Sequence, residues 1–249
     1  MALAKPATSG SSTLGEPQSP NHLLAVVEAT EFQLLRPHLT AVELRSKQVL
    51  CEENRPIPAI YFPHNAVISV VALTQGDEAV EVGSIGCEGM LGLPVLLGSE
   101  SSITRAIVQI GGTADRMDAA VLAREVTRHA SLRRALNLYA HGYITQISQS
   151  TACNRLHSAE QRLARWLLIC CDRTGSNDLA MTHEIMAIML GVRRATVTET
   201  AGMLQRRGMI RYRRGLVSVL DRAGLEATAC ECYDIVRKEF ERLLGVRVG

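Results

Sequence analysis

The stretch LGVRRATVTETAGMLQRRGMIRYRRG (190–215) places seven arginines and a single acid among small and apolar side chains. Such a segment is a solvated charged face, a membrane-surface helix or a surface that holds nucleic acid. Upstream, Thr182 is placed to cap a short helix on which Met186, Met189 and Leu190 face inward. Ala187 and Gly191 lie four apart and are both small, so a second helix can approach closely, and Gly191 tolerates the positive φ of a tight turn. A second helix over 194–206 buries Val197, Ala201 and Leu204 at 4-3 spacing, the packing pattern of a helix-turn-helix. Its outer face carries Arg194, Ala195, Thr198, Glu199 and Gly202. Small residues let such a helix sink into a major groove, where Arg reads guanine and Glu accepts from the cytosine amino group. The segment MIRYRRGLVSVLD (209–221) reads as a β-hairpin turning at Arg214 and Gly215. Arg211, Arg213 and Arg214 on this wing suit phosphate contacts, as do Thr182, His183, Arg193, Thr196 and Arg206 around the helix pair. The basic residues sit on two elements and leave no bulky apolar face over, which argues against a membrane-surface helix.

Charge along the 249 residues agrees. The net charge is only +2, but residues 180–249 hold twelve Lys and Arg against eight Asp and Glu, while 1–179 hold fifteen against seventeen. A basic C-terminal module on a mildly acidic body predicts a polyanionic partner, double-stranded DNA, for that module. Residues 1–20 are rich in Ser, Thr, Pro, Gly and Ala, lack the apolar segment of a secretion signal, and read as a disordered tail. No run approaches the ~20 apolar residues of a spanning helix, so the expected location is cytoplasmic, without a membrane partner. The seven cysteines (51, 87, 153, 170, 171, 230 and 232) are then expected as reduced thiols. They do not form two C-x-x-C pairs, so no metal or cofactor is assigned, and His141, His157, Cys153 and the ACECY segment (229–233) are read as ordinary packing and solvation. No G-x-S-x-G, H-E-x-x-H or P-loop is present, and no catalytic residue is assigned.

The body is patterned in two parts. From Val42 to Ile110, short β-prone runs (AIYFP, AVISVVAL, AVEVGSI, TRAIVQI) alternate with turn residues, as in a β-barrel or roll. After Asp118 the strands stop. Residues 131–155 predict a long helix on which Leu132, Leu136, Tyr139, Tyr143 and Ile147 form an apolar seam. A helix packed on its own domain is one reading; the seam's length, and the small domain after it, favour a dimerisation helix. Ser158 and Gln161 then make a capping box, Leu163, Trp166, Leu167 and Cys170 form a buried face, and Gly175 ends that helix. The expected fold is α+β: a tail over 1–20, a double-stranded, jelly-roll-like β-roll over 21–128, a dimerisation helix over 129–156 and a winged helix-turn-helix over 157–249.

This order of elements resembles the Crp/Fnr family of bacterial transcription regulators, most specifically in SAEQRLARWLL, LGVRRATVTETAGMLQRRGMI and VSVLDRAGLE. The resemblance implies a homodimer whose recognition helices enter successive major grooves ~34 Å apart, with RNA polymerase as a further partner for an activator. It places Arg194, Ala195 and Glu199 at the family's base-reading positions. Ala195 stands where the family carries Glu, so the DNA sequence read by well-known members does not transfer, and Arg193 replaces the usual Ser cap. Cyclic-nucleotide-binding members carry Gly-Glu-Leu for the ribose and Arg-Ser/Thr for the phosphate. Here the effector-pocket positions are Gly92-Leu93-Pro94 and Arg105-Ala106, so cyclic AMP is not the expected effector; Glu88 lies four residues before Gly92 and could take the missing place only by a register shift. Residues 1–50 contain no cysteine, unlike the iron–sulfur members. The second reading is a redox- or metal- or haem-responsive sensor acting through its cysteines and histidines.

Overall fold

The computed structural model describes residues 18–73 and 79–245. Two short helices, α1 (His22–Ala25) and α2 (Ala29–Leu35), lead into strands β1 (Thr40–Leu44), β2 (Val49–Cys51), β3 (Ala59–Pro63), β4 (Val67–Leu73) and β5 (Ala79–Ile85). A one-turn helix α3 (Leu93–Leu96) precedes β6 (Arg105–Ile110) and β7 (Gly112–Asp118). Helices α4 (Ala119–Arg128), α5 (Ala130–Leu156) and α6 (Ala159–Thr174) follow. The C-terminal part comprises β8 (Asp178–Ala180), α7 (His183–Leu190), α8 (Arg194–Arg206), β9 (Ile210–Arg213), β10 (Leu216–Val219), α9 (Arg222–Thr228) and α10 (Cys232–Leu244). The fold is α+β.

The β-roll is two antiparallel sheets, ordered β1-β7-β3 and β2-β6-β4-β5. Ile60 and Phe62 of one sheet and Ile68 and Val108 of the other belong to one buried core. Strand β4 reads as a nearly continuous apolar run because both of its faces are covered. Successive side chains of a strand point to opposite faces: Ile68 enters the roll's core, while Val67 joins the cluster of Leu163, Trp166 and Leu167 from α6. The winged module is therefore docked against the roll.

The joint is polar at its centre. Arg173 of α6 is 4% exposed and Glu88, in the loop after β5, is 2% exposed. The guanidinium donates through Nη2 to Glu88 Oε1 at 2.6 Å and through Nε to Oε2 at 3.2 Å. It also donates to the Ser84 hydroxyl (2.7 Å) and carbonyl (3.1 Å) and to Gln146 Oε1 of α5 (3.1 Å). Gly86 is required beside it, since a Cβ there would lie 2.4 Å from Arg173 Cδ.

Three sequence expectations are corrected. First, residues 18–20 are part of the fold; residues 1–17 of the expected tail lie outside the described residues. Ser19 is buried and Gln18 Nε2 donates to three carbonyls, those of Leu24, Ala25 and Val27. The anchor is buried Asn21, whose amide donates to the carbonyls of Pro63 (2.8 Å) and Gly89 (2.9 Å). Second, the seam Leu132, Leu136, Tyr139, Tyr143 and Ile147 is covered within the chain. Leu132, Leu136, Tyr139 and Tyr143 are buried, Ile147 packs on the same core, and Tyr139 Oη donates to the carbonyl of Met90 at 2.9 Å. Apolar periodicity shows that a stripe is buried, not what covers it. Third, residues 157–249 are not one packing unit. Val236, Phe240 and Leu244 of α10 join the roll's core, and Phe240 lies 6.3 Å from the Tyr139 ring.

Removing one partner of a buried pair leaves the other charge uncompensated, so Glu88→Ala is expected to cost about 3–5 kcal/mol of stability. In denaturant unfolding, Glu88→Ala and Arg173→Met combined are expected to cost less than the two singly measured losses together. Strict additivity would show that the pair is not coupled. Leu136→Ala is expected to cost about 2–5 kcal/mol through the cavity it leaves, with the sedimenting mass unchanged. A lower mass at unchanged stability would return the seam to an intermolecular role.

Candidate nucleic-acid interface

Helix α7 begins on Thr182, whose hydroxyl accepts from the Ile185 amide at 3.3 Å, and ends on Gly191 at φ 58°. Both signals are local and both hold as expected. Helix α8 follows at Arg194, with Val197, Ala201 and Leu204 buried. Thr200, which the spacing leaves unassigned, is buried beside them. Arg193 sits at the N-cap and makes no side-chain cap bond, which leaves that guanidinium free to face outward. The wing turns on Arg214 (φ 50°) and Gly215 (φ 79°), the two successive positive φ values of a tight hairpin turn.

Several contacts gather these elements on one surface. The Met181 amide donates to the Gly215 carbonyl at 2.8 Å, which sets the wing turn beside the start of α7. The His183 ring stacks on Tyr212 of the wing, centroids 4.2 Å apart, and its Nδ1 lies 3.0 Å from the Thr198 hydroxyl of α8. The Thr198 hydroxyl also lies 3.1 Å from the Arg194 carbonyl, to which it donates. Gln205 Oε1 accepts from the Tyr212 amide at 2.7 Å. Partial burial and, secondarily, the Arg194 charge hold His183 below its ordinary pKa, so it is neutral near pH 7 and acts as a hydrogen-bonding bracket. Sequence reasoning treats His183 as a surface or phosphate-contacting residue and passes over Tyr212 and Gln205. The signal available for Tyr212 is an aromatic residue set inside RYRR.

Two groups of arginines in the C-terminal region contrast. Arg162 donates to the Leu190 carbonyl and to Asn154, Arg173 pairs with Glu88, Arg207 with Glu160, and Arg222 with Asp172. By contrast, Arg193, Arg194, Arg206, Arg211, Arg213 and Arg214 are exposed and, among the described residues, none has an ion pair. Ala195 and Glu199 are exposed on α8 with Arg194, and Thr196 is half-buried.

The β-roll holds a cavity of about 220 Å³. Gly92, Leu93 and Ala106 line it, together with Leu91, and Tyr143 and Ile147 of α5 close it. Arg105 does not line it. Its guanidinium donates to Glu53 (Nε to Oε2 3.1 Å, Nη2 to Oε1 3.2 Å) and Nε lies 2.7 Å from Glu52. Of the four residues expected at an effector pocket, three meet at the cavity and the one cation is neutralised by two carboxylates.

Residues 161–228 match the family described as the Crp-like helix-turn-helix domain. No curated protein sequence matches the chain. Among solved structures, FixK2 from Bradyrhizobium japonicum is similar at TM-score 0.66 and 16% identity, covering 77% of this chain and 98% of that one. TTHB099, a CRP-family transcriptional regulator from Thermus thermophilus, aligns at TM-score 0.61 and 16% identity over 84% of this chain and 98% of its own. The c-di-GMP-responsive regulator CLP from Xanthomonas campestris aligns at 0.60 and 12%, over 77% and 99%. Residues 161–228 are thus similar to a Crp-like helix-turn-helix domain, and the chain shares the fold of these solved regulators.

Proposed function

We propose that the chain is a sequence-specific DNA-binding transcription regulator rather than an enzyme. The observation that carries this reading is the set of six exposed, unpaired arginines on α8, its N-cap and the wing, bracketed onto one surface by His183 and Tyr212. A folded protein that pairs Arg173, Arg207 and Arg222 with its own acids leaves these six for an external polyanion. Arg194, Ala195, Thr198 and Glu199 are the base-reading face. Thr182, His183, Arg193, Thr196, Arg206, Arg211, Arg213 and Arg214 hold the backbone, His183 through its bracket. Such a ligand puts the protein's action in the cytoplasm, with RNA polymerase as a further partner if it activates. Among the described residues no helix is long and apolar enough to cross a membrane.

The protein acts as a homodimer on a two-fold symmetric site. With the apolar seam buried in the chain, the exposed surface of α5 includes the strip Asn137, His141, Ile144, Ser148, Thr151 and Arg155, spaced 4-3-4-3-4. Ile144, 60% exposed, lies in this strip. Its spacing is that of a two-helix seam, with Ile144 as the one apolar residue at its centre and polar side chains on either side.

Enrichment of random duplexes on the purified protein tests the reading: a two-fold symmetric sequence is expected, and a set without any enriched motif would refute it. Arg194→Ala is expected to lose ~1–3 kcal/mol and relax preference at one position per half-site. Arg213→Ala is expected to weaken all duplexes alike and lower the slope of log K against log salt by about one. Equal loss on selected and random DNA from Arg194→Ala would remove that residue from base reading.

The effector, where one exists, is apolar. The cavity offers Leu91, Leu93, Ala106 and Ile147 and no free cation, so a cyclic phosphate would lose its charge-assisted contacts, each worth ~1.5–3 kcal/mol. Calorimetric titration with cyclic AMP is expected to give no micromolar binding. Micromolar affinity abolished by Arg105→Ala would overturn the assignment.

A further inference from the structure

Two segments far apart in sequence bring four metal-binding side chains to one point. Cys153 lies in the last turn of α5 and His157 is its C-cap, four residues on and therefore on the same face. Cys230 lies in the link after α9, and Cys232 opens α10. The four donor atoms all lie within 4.8 Å of one another. Cys153 Sγ is 3.5 Å from Cys230 Sγ, and Cys232 Sγ is 3.5 Å from His157 Nδ1. A tetrahedral zinc ion with the usual bond lengths needs edges of ~3.8 Å between sulfurs and ~3.5 Å between sulfur and nitrogen. The cage is thus already close to the size of one ion.

The surroundings are those of a ligand set rather than of a packed core. The three cysteines form a buried cluster of their own, separate from both hydrophobic cores. The imidazole is oriented from behind: Nε2 lies 3.3 Å from Glu231 Oε1, which fixes the ring with its Nδ1 lone pair toward the sulfurs. Gln149 Nε2 donates to Cys232 Sγ at 3.1 Å, a bond that favours the thiolate a metal requires. Both contacts are of the kind that orients and tunes bound ligands, and hydrophobic packing needs neither.

We propose that Cys153, His157, Cys230 and Cys232 form a closed tetrahedral zinc centre that staples the α9–α10 link to the joint between α5 and α6. Four protein ligands leave no open position, so the centre is structural rather than catalytic. Three thiolates and one imidazole suit Zn²⁺, whereas Mg²⁺ and Ca²⁺ take oxygen donors. Binding releases the three thiol protons and leaves one net negative charge on the centre. The staple acts at a consequential place: His157 precedes Ser158, the cap of the helix that carries Arg173 and enters the DNA-binding module. The proposal stands on this cage alone and does not depend on DNA binding. It replaces the sequence expectation that these cysteines and His157 are ordinary packing, which rested on the absence of paired C-x-x-C motifs; here the ligands come as C-x₃-H and C-x-C, 77 residues apart.

The test uses the full-length protein, purified without chelators or a nickel column. Elemental analysis is expected to find one zinc per chain. Replacement by cobalt(II) is expected to give thiolate-to-metal charge-transfer bands and the intense ligand-field bands of a tetrahedral site. Glu231 is 67% exposed, so Glu231→Gln should fold normally. In competition with a chromophoric chelator it is expected to bind zinc about 10- to 100-fold more weakly. His157→Cys is expected to keep the ion on four thiolates, while Cys230→Ser loses it. The proposal fails if wild-type protein binds neither zinc nor cobalt after anaerobic reduction and reconstitution. It fails equally if the isolated protein carries iron there, if it holds a Cys153–Cys230 disulfide in place of an ion, or if Cys153→Ser/Cys230→Ser retains the zinc unchanged.

Discussion

The pair between Arg173 and Glu88 is the constraint on which the rest of the architecture depends. A guanidinium this deep is tolerable only when its donors are nearly all used, and here a carboxylate, a hydroxyl, a carbonyl and an amide oxygen take them. The four acceptors come from the roll and from α5, and the donor from α6. Sliding any one of these against the others would strand a charge in an apolar interior. A hydrophobic interface alone would permit several registers; the pair selects one. Alongside it, Val67 on the outer face of strand β4 is part of the winged module's core.

The same accounting of charges separates arginines that build from arginines that face a ligand. Arg162 caps the Leu190 carbonyl, so the end of α7 is satisfied from α6. Arg222 is held by Asp172, whose other carboxylate oxygen accepts from the Tyr233 hydroxyl at 2.6 Å. These contacts fix α9 and the start of α10. The unpaired arginines sit instead on the first turn and last turn of α8 and on a hairpin two residues wide at its tip, where no acid reaches them. Net charge alone, at +2, hides this division. Local density of one sign with no internal partner is the informative quantity, because a desolvated cation without a partner is costly and a solvated one is available.

What the sequence made legible was set by the range of the physical cause. The Ser158–Gln161 capping box, the αL glycines at 175 and 191 and the Arg214–Gly215 turn depend on neighbours within four residues, and each stands as read. The packing of Val197, Ala201 and Leu204 was legible for the same reason. Long-range decisions were not. The seam on α5 gave a stripe but not its cover, which comes from the roll and from α10. Arg105 matched a phosphate-binding position, yet Glu52 and Glu53 in the β2–β3 link claim it. The buried role of Glu88 needed a partner 85 residues away. The thiol and imidazole cluster was invisible to motif spacing because its halves lie on separate helices.

Helix α5 is where these features meet. Its first half packs on the roll through Leu132, Leu136 and Tyr139; Tyr143 and Ile147 close the apolar cavity; Gln146 belongs to the Arg173 network; and Cys153 and His157 end it at the cap of α6. A ligand in the cavity changes the DNA-binding module only by binding one arrangement of this helix better than another. The residues for such a difference exist, since Tyr143 touches the cavity and lies 6.0 Å from Tyr139, whose hydroxyl holds the Met90 carbonyl. The buried pair resists any shift of α5 that would break its bond to Gln146, so a ligand-driven change must either keep that register or supply the free energy to break it.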